Sequence, residues 1–375
     1  VAAEYATPKT INFMSRHGSG LICLSMEGEL LDRLQLAPMI SPNKSPYGTA
    51  FTVSIDAAHN ISTGISAKDK AETIRVAIAP KSTPADIISP GYIFPLRAKD
   101  RGVLERAGQT EGSVDLAKLA GLTPAAVMCD LMNDDGTMSG LEQLSAFAQK
   151  HDIVLIAIND VIAYRIQHEL LVCAEVSTRI PLQDKGDFSM TLFKNDLDKA
   201  EHFALVKPSS STNQLPLVRI HSECITGDVF GSCKCDCGPQ LQQALGLIAA
   251  EGGILIYLRQ EGRGIGLANK LKAYALQEQG WDTVDANRQL GLPADNRNYV
   301  IAYQMLKYFG IKSIRLLTNN PKKISAIESF GIKVEQRLPI EIEPTQDSHN
   351  YLKTKKEKMG HLLENLVLAK TKKNK

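Results

Sequence analysis

Cys224, Cys235 and Cys237 stand in the spacing C-x10-C-x-C, and three soft thiolates brought to one point favour a zinc ion. A C-x-C pair in a turn can bite one metal while the distant cysteine closes on it from a neighbouring loop. Three protein ligands leave a fourth position for water, so the expected chemistry is hydrolysis by a metal-activated water. The competing reading is a closed four-cysteine site with Cys233 as fourth ligand, which would stabilise the fold and admit no water. It is disfavoured because Cys233 would share the ion with its second neighbour at Cys235 and again with Cys237. Cys173 reads as a core residue.

Two downstream junctions add a ligand class. The run Gly253-Ile-Leu-Ile-Tyr-Leu258 reads as a buried strand feeding Arg259-Gln-Glu-Gly-Arg-Gly-Ile-Gly266 and then a helix over about 267–279. Such a loop lets backbone amides approach a phosphate, and Arg263 adds fixed positive charge. A second strand ends at Leu317-Thr318-Asn-Asn, where Pro321 suits a first helical turn and Lys322 and Lys323 sit at the positive helix terminus. Two anion sites imply a polyphosphate substrate. Between them, Asp295 and Arg297 lie two residues apart, which read on its own is an exposed ion pair.

These groups need a scaffold, and 375 residues with 43% apolar and 22% charged content suffice for about two domains. The fold class expected is α/β (α+β), two mixed α/β domains in tandem, over residues 1–168 and 169–375. In the first, Gly20-Leu-Ile-Cys-Leu24 and Ile153-Val-Leu-Ile-Ala-Ile158 read as strands, and a helix is expected after Ser82-Thr-Pro-Ala-Asp86, with Thr83 as cap and Pro84 in its first turn. The segment Ile180-Pro-Leu-Gln-Asp-Lys-Gly186 reads as a turn leading into the second domain, and residues 207–216 as a polar insertion loop before a short strand at 217–220.

A net charge of +2 is too small to imply nucleic acid, and the basic ending 370–375 reads as a solvated tail. Seven cysteines, four of them within residues 224–237, suit metal binding in a reducing compartment, so a cytoplasmic location is expected. No apolar run reaches the roughly 20 residues that span a bilayer, so no membrane partner is expected. The chain starts at Val1 rather than Met, which leaves room for a preceding segment.

The order of Arg219-Ile-His-Ser-Glu-Cys-Ile-Thr-Gly-Asp228, Cys235-Asp-Cys-Gly, Arg259-Gln-Glu-Gly-Arg-Gly-Ile-Gly-Leu267, Asp282-Thr-Val-Asp-Ala-Asn287, Leu316-Leu-Thr-Asn-Asn-Pro-Lys-Lys323 and Lys358-Met-Gly-His-Leu-Leu363 resembles GTP cyclohydrolase II of riboflavin biosynthesis. The resemblance implies that Cys224, Cys235 and Cys237 hold Zn²⁺, which polarises a water for attack on guanine C8, opening the imidazole ring and releasing formate. It implies GTP contacts at Arg219, Ile220, His221, Ser222, Glu223, Gln240, Glu261, Gly262, Arg263, Thr283, Thr318 and Lys323, with Mg²⁺ on the phosphates. Asp295 matches the family's proton acceptor and Tyr274 a tyrosine that assists proton transfer. Arg297 matches a nucleophile toward the α-phosphorus that expels pyrophosphate; an arginine is protonated at nearly any pH, so stabilising phosphoryl charge is the equal alternative. Both families form dimers, so a homodimer is expected.

Residues 1 to about 165 resemble 3,4-dihydroxy-2-butanone 4-phosphate synthase, through Ile11-Asn-Phe-Met-Ser-Arg-His-Gly-Ser-Gly-Leu-Ile-Cys23, Thr49-Ala-Phe-Thr-Val-Ser-Ile-Asp-Ala57, Phe94-Pro-Leu-Arg-Ala98 and Asn133-Asp-Asp-Gly-Thr-Met138. That enzyme acts on ribulose 5-phosphate with Mg²⁺ held by a glutamate and a histidine. The acidic loop bearing the glutamate would precede the first matching residue. Gln109 stands where the metal-binding histidine belongs, Tyr92 replaces an essential histidine, Asp130 an essential glutamate, and Arg101 a loop glycine; Arg106 and Thr110 remain. The expectation is a GTP cyclohydrolase II behind a catalytically inactive synthase-like domain. The alternatives are an enzyme active in both domains, and a zinc-stabilised binding module without turnover.

Overall fold

The computed structural model describes residues 1–195, 197–198, 200–209, 214–293 and 295–364. The basic ending 370–375, and residues 210–213 of the expected insertion loop, lie outside the described residues. The chain divides into two compact units, Val1–Arg165 and Ile166–Lys375, and both mix helices with strands.

The first unit is built on β1 (Cys23–Met26), β2 (Ile55–Ala57), β3 (Ile87–Arg97) and β4 (Ala125–Met128), in the order β2-β3-β1-β4. β1 runs parallel to β3 and antiparallel to β4. Against them lies the helix Ala67–Ile78, started by Ser66, whose hydroxyl accepts the Asp69 N–H. Ala71, Ile74 and Ile78, spaced three and four apart, bury one face of it. They join Ile11, Leu24, Met26, Leu31, Ile55, Ile93 and Val127 in one apolar core.

Two local expectations are corrected here. Thr83 and Pro84 open only a 3-10 turn, Pro84–Asp86, closed by the Asp86 carboxylate on the Thr83 N–H at 2.8 Å, before the chain extends into β3. A helix continuing from that cap would have placed Pro90 in its interior, where it cannot donate and clashes with the preceding turn. Residues 153–157 form no strand; Val154 is 80% exposed, and the run finds no strand partner before the helix Ile158–His168 begins.

The second unit holds a seven-stranded sheet of β5 (Val172–Leu182), β6 (Gly186–Asn195), β7 (His202–Lys207), β8 (Leu217–Ser222), β9 (Gly253–Leu258), β10 (Ser313–Leu317) and β11 (Lys333–Leu338), ordered β11-β10-β8-β9-β7-β6-β5. β8 to β11 form a parallel half, and β5 to β7 an antiparallel extension. The turn expected to lead into this domain lies within it, joining β5 to β6. Fully buried Gln304, on the helix Val300–Tyr308, donates to the carbonyls of Ile166 and Glu169 and accepts the Leu171 N–H, which pins the start of the unit.

β8 is flanked by β9 on one side and β10 on the other, so the chain passes from β8 to one neighbour and then crosses back to the other side, reversing the strand order at β8. Ligand crevices of open α/β sheets form at such a point. Among the described residues no helix is long and apolar enough to cross a membrane.

Candidate active site

The carboxyl ends of β8, β9 and β10 open into a cleft. β8 delivers Arg219 and His221 and ends one residue before Glu223 and Cys224. Cys235 sits in the following turn, and Cys237 is the first residue of the helix Cys237–Glu251. The three sulfur atoms lie within 4.8 Å of one another, and Cys224 and Cys235 are 3.7 Å apart. Tetrahedral zinc with Zn–S near 2.3 Å places its thiolates about 3.8 Å apart, so the donor set fits such an ion. Cys233 is exposed and outside the cluster, so the closed four-cysteine arrangement is not formed. Cys173, expected in the core, is exposed on β5, where it pairs with Lys194 of the neighbouring strand rather than facing packed side chains.

Backbone economy makes the cluster feasible. A Cβ at Gly227 would lie 2.8 Å from the Cys235 sulfur and 3.3 Å from that of Cys224, so only glycine lets the loop wrap the three thiols so closely. Hydrogen bonds with Cys235 and Cys237, and the charge of Lys270, hold the Cys224 thiol far below its ordinary range against the opposing effect of burial. Sharing a hydrogen with Cys224, together with burial, pushes Cys235 up to about 11. A divalent ion binding the three sulfurs would expel the protons they hold without it.

The rest of the cleft is cationic. Arg219, 5% exposed, donates to Leu317 O at 3.0 Å and to Gln240 Oε1 at 2.7 Å. Gln240 donates to Asp236, which also accepts from Lys355 at 2.7 Å. Lys323 is buried and donates to Ile220 O at 2.7 Å; burial, then the charges of Arg219, Arg297 and Lys355, push its pKa well below the ordinary lysine value. Arg263 follows Gly262 in the glycine-rich loop, both with positive φ, 64° and 61°. Arg219 Nε, His221 Nδ1, Ser222 Oγ and Asn320 Nδ2 are buried without a hydrogen-bond partner, and all four residues line the cleft. Buried polar atoms left this way await a polar ligand.

Of the sequence-derived residues, Arg219, His221, Ser222, Glu223, Cys224, Cys235, Cys237, Gln240, Glu261, Gly262, Arg263, Tyr274, Thr283, Arg297, Thr318 and Lys323 line this cleft. Ile220 does not; its side chain is fully buried on the other face of β8 and only its carbonyl serves, as acceptor for Lys323. Asp295 does not line it either, being clamped on Arg297 by bonds of 2.8 and 2.6 Å. That pair was expected to be exposed, yet both side chains are only 11% exposed. Burial disfavours both charges, but their mutual hydrogen bonds outweigh it, lowering the Asp295 pKa and raising that of Arg297. Residues missed from sequence are Lys270, Asn319, Asn320, Tyr351, Lys355 and His361. The Lys358-to-Leu363 motif pointed to this last segment without identifying which of its residues reach the cleft.

A buried network supports the cysteine loop. Asp228 accepts from Tyr257 OH at 2.8 Å and from the Cys224 N–H at 3.0 Å, and lies 3.0 Å from His221 Nε2. In the first unit, Gln109 Nε2 donates to Asp130 Oδ1 at 2.8 Å, so two of the positions expected to depart from the synthase pattern engage each other. Arg106 pairs with buried Glu111 at 2.6 Å, and Thr110 is buried beside it.

Comparison with known proteins agrees with this division. Residues 1–164 match 3,4-dihydroxy-2-butanone 4-phosphate synthase, and residues 173–339 match GTP cyclohydrolase II. The riboflavin biosynthesis protein RibBA of Bacillus mycoides is 54% identical over 362 residues, covering 96% of this chain and 91% of that protein. RibBA of a Synechocystis species is 52% identical over 374 residues, covering 98% and 67%. The crystal structure of RibBX, a two-domain 3,4-dihydroxy-2-butanone 4-phosphate synthase from A. baumannii, superposes with a TM-score of 0.64 at 31% identity, covering 92% of this chain and 91% of that one. With a three-thiol cleft in its second unit and relatives matched across nearly its whole length, the chain belongs to the RibBA family of riboflavin biosynthesis proteins, which join a synthase domain to a GTP cyclohydrolase II domain.

Proposed function

We propose that the second unit is a zinc-dependent GTP cyclohydrolase II that opens the imidazole ring of GTP and releases formate and pyrophosphate, giving 2,5-diamino-6-ribosylamino-pyrimidinone 5'-phosphate. The observation that carries this reading is the cluster of Cys224, Cys235 and Cys237 in a cleft ringed by Arg219, Arg263, Arg297, Lys323 and Lys355. Bound zinc would supply an acidified water at the guanine C8. The cations would hold the triphosphate, which arrives with Mg²⁺, and the unpartnered Ser222 and Asn320 groups would read polar edges of the nucleotide. Tyr274, beside Lys270 in the cleft wall, would relay a proton near the ring.

The buried Asp295–Arg297 pair bears on the phosphoryl step. A guanidinium held charged by a bidentate carboxylate has no free lone pair for attack. The geometry therefore supports Arg297 as a stabiliser of charge on the transferring phosphoryl group, with Asp295 fixing its orientation. In solution the protein is proposed to be a cytoplasmic homodimer without nucleic-acid or membrane partners. The seven free cysteines suit a reducing compartment, and the exposed apolar run 153–156 of the first unit suits a partner copy.

For the first unit we propose loss of synthase activity. Support comes from Gln109, in the place of the metal-binding histidine, whose amide is taken up by a hydrogen bond to Asp130, in the place of a further essential glutamate. The opposite reading is a bifunctional enzyme that also converts ribulose 5-phosphate to 3,4-dihydroxy-2-butanone 4-phosphate and formate. It is favoured by the synthase match over residues 1–164 and by full-length relatives named RibBA. Formate measured separately from GTP and from ribulose 5-phosphate with Mg²⁺ decides between them. Formate from GTP alone supports the inactive first unit, formate from both the bifunctional enzyme, and none from GTP refutes the main reading.

A further inference from the structure

Lys270 lies on the helix Leu267–Glu278 and is 8% exposed, yet no step of the reading above uses it. Its ammonium is 3.1 Å from Cys224 Sγ and 2.8 Å from Glu261 Oε1, with the Tyr274 ring centroid 5.7 Å away. Glu261 in turn accepts the Ile225 N–H at 2.7 Å through its other oxygen, and its own neighbour's N–H, that of Gly262, at 2.7 Å. One lysine–glutamate pair thus brackets the first cysteine at the end of β8 to the glycine-rich loop at the end of β9.

A divalent ion with three thiolates carries a net charge of −1, and buried net charge is costly unless compensated. Thiolate donation also makes the ion a weaker acid toward a fourth ligand. A cationic N–H donor on one sulfur works against both effects, because it draws electron density from that sulfur and sets a positive charge beside it. Among the described residues, the hydrogen bonds place one lysine on a cluster sulfur, and it is Lys270.

We propose that Lys270 is a positioning residue of the metal centre, donating an N–H···S hydrogen bond that sets a positive charge against the three-thiolate site and weakens electron donation by Cys224. This inference rests on the metal-centre reading above. Glu261 has the separate task of aiming Lys270 and the two loops.

The test uses the full chain stripped of metal by chelation and titrated with Co²⁺, which takes tetrahedral thiolate sites and reports sulfur-to-metal charge transfer. Absence of that absorption in the unaltered protein overturns the metal-centre reading, and this inference with it. Given the band, Lys270→Met is expected to move it to lower energy, since a sulfur without its hydrogen bond gives up an electron more readily. Co²⁺ and Zn²⁺ affinity should fall by about 10- to 100-fold, and Lys270→Arg should restore the band. Glu261→Gln, which disturbs the bracket but leaves the ammonium, should leave the band in place. If Lys270→Met does not fold, Lys270→Gln is read the same way. A band unmoved in the folded variant refutes the role, whatever happens to turnover.

Discussion

At Cys235, a serine would keep the shape of the loop but replace a soft thiolate by a hydroxyl that remains protonated at neutral pH. Cys235→Ser is therefore expected to lower zinc content below stoichiometric and abolish formate release from GTP; metal analysis and a formate assay check it, and normal release would remove the cluster from catalysis. Arg297 tests a different part of the chemistry. Its guanidinium is clamped by Asp295 and nearly buried, so Arg297→Ala is expected to lose about 10²- to 10³-fold in kcat, the scale for removing one charge-stabilising donor, while GTP still binds. Lost binding with unchanged kcat would instead make it a substrate anchor. The spacing C-x10-C-x-C already showed which three thiols would meet. It could not show that Asp295 faces Arg297 instead of the cleft, because a side chain's direction in an irregular loop depends on what packs behind it.

Between elements, the helix His349–Met359 matters more than its polar sequence suggests. Lys355, 8% exposed, is paired with Asp236, the residue between two of the clustered cysteines. Lys358 near the same helix's end pairs with Asp282 and Asp285, which cap and open the helix Thr283–Gln289 behind Thr283. The helix therefore straps the cysteine loop, 119 residues away in the chain, and one cleft wall, 76 and 73 residues away. Lys355→Met is expected to destabilise the protein by about 3–5 kcal/mol, because it leaves the Asp236 carboxylate buried without its partner. Urea unfolding would show the loss as a lower midpoint at unchanged slope. A change under about 1 kcal/mol would mean that Gln240 alone satisfies Asp236.

For the molecule as a whole, the buried His202 and His221 and the half-buried His361 set a pH response. Burial lowers the pKa of His202, His221 and His361, the last to about 2, so the folded chain keeps them neutral where the unfolded chain would bind protons. Below the unfolded value near 6.5 the unfolded state therefore holds more protons, and stability falls as pH falls; above it these groups contribute no pH dependence. Each can contribute up to about 1.4 kcal/mol per pH unit. Unfolding midpoints of the ligand-free protein should thus drop between pH 7 and pH 5.5, and His361→Asn should flatten the slope. Equal midpoints at both values would mean that the histidines gain solvent access before unfolding.

What the sequence determined alone were the features that local chemistry dictates. Gly253 to Leu258 is apolar throughout and became a strand buried at nearly every position, and Pro321 took the first turn of a helix that Asn320 caps, as its fixed φ allows. The cysteine spacing and glycine-rich loop likewise named the ligand classes, because donor softness and backbone access belong to the residues themselves. Tertiary structure alone decided what depends on partners. Residues 153–157 are as apolar as a strand, yet with no neighbour to share backbone hydrogen bonds they stayed irregular. Lys270, Lys355 and His361 carry no individual signal in the sequence. They became part of the cleft only because β8, β9 and β10 bring their ends together and the last helix folds back across them, burying charges that the sequence alone would leave in water.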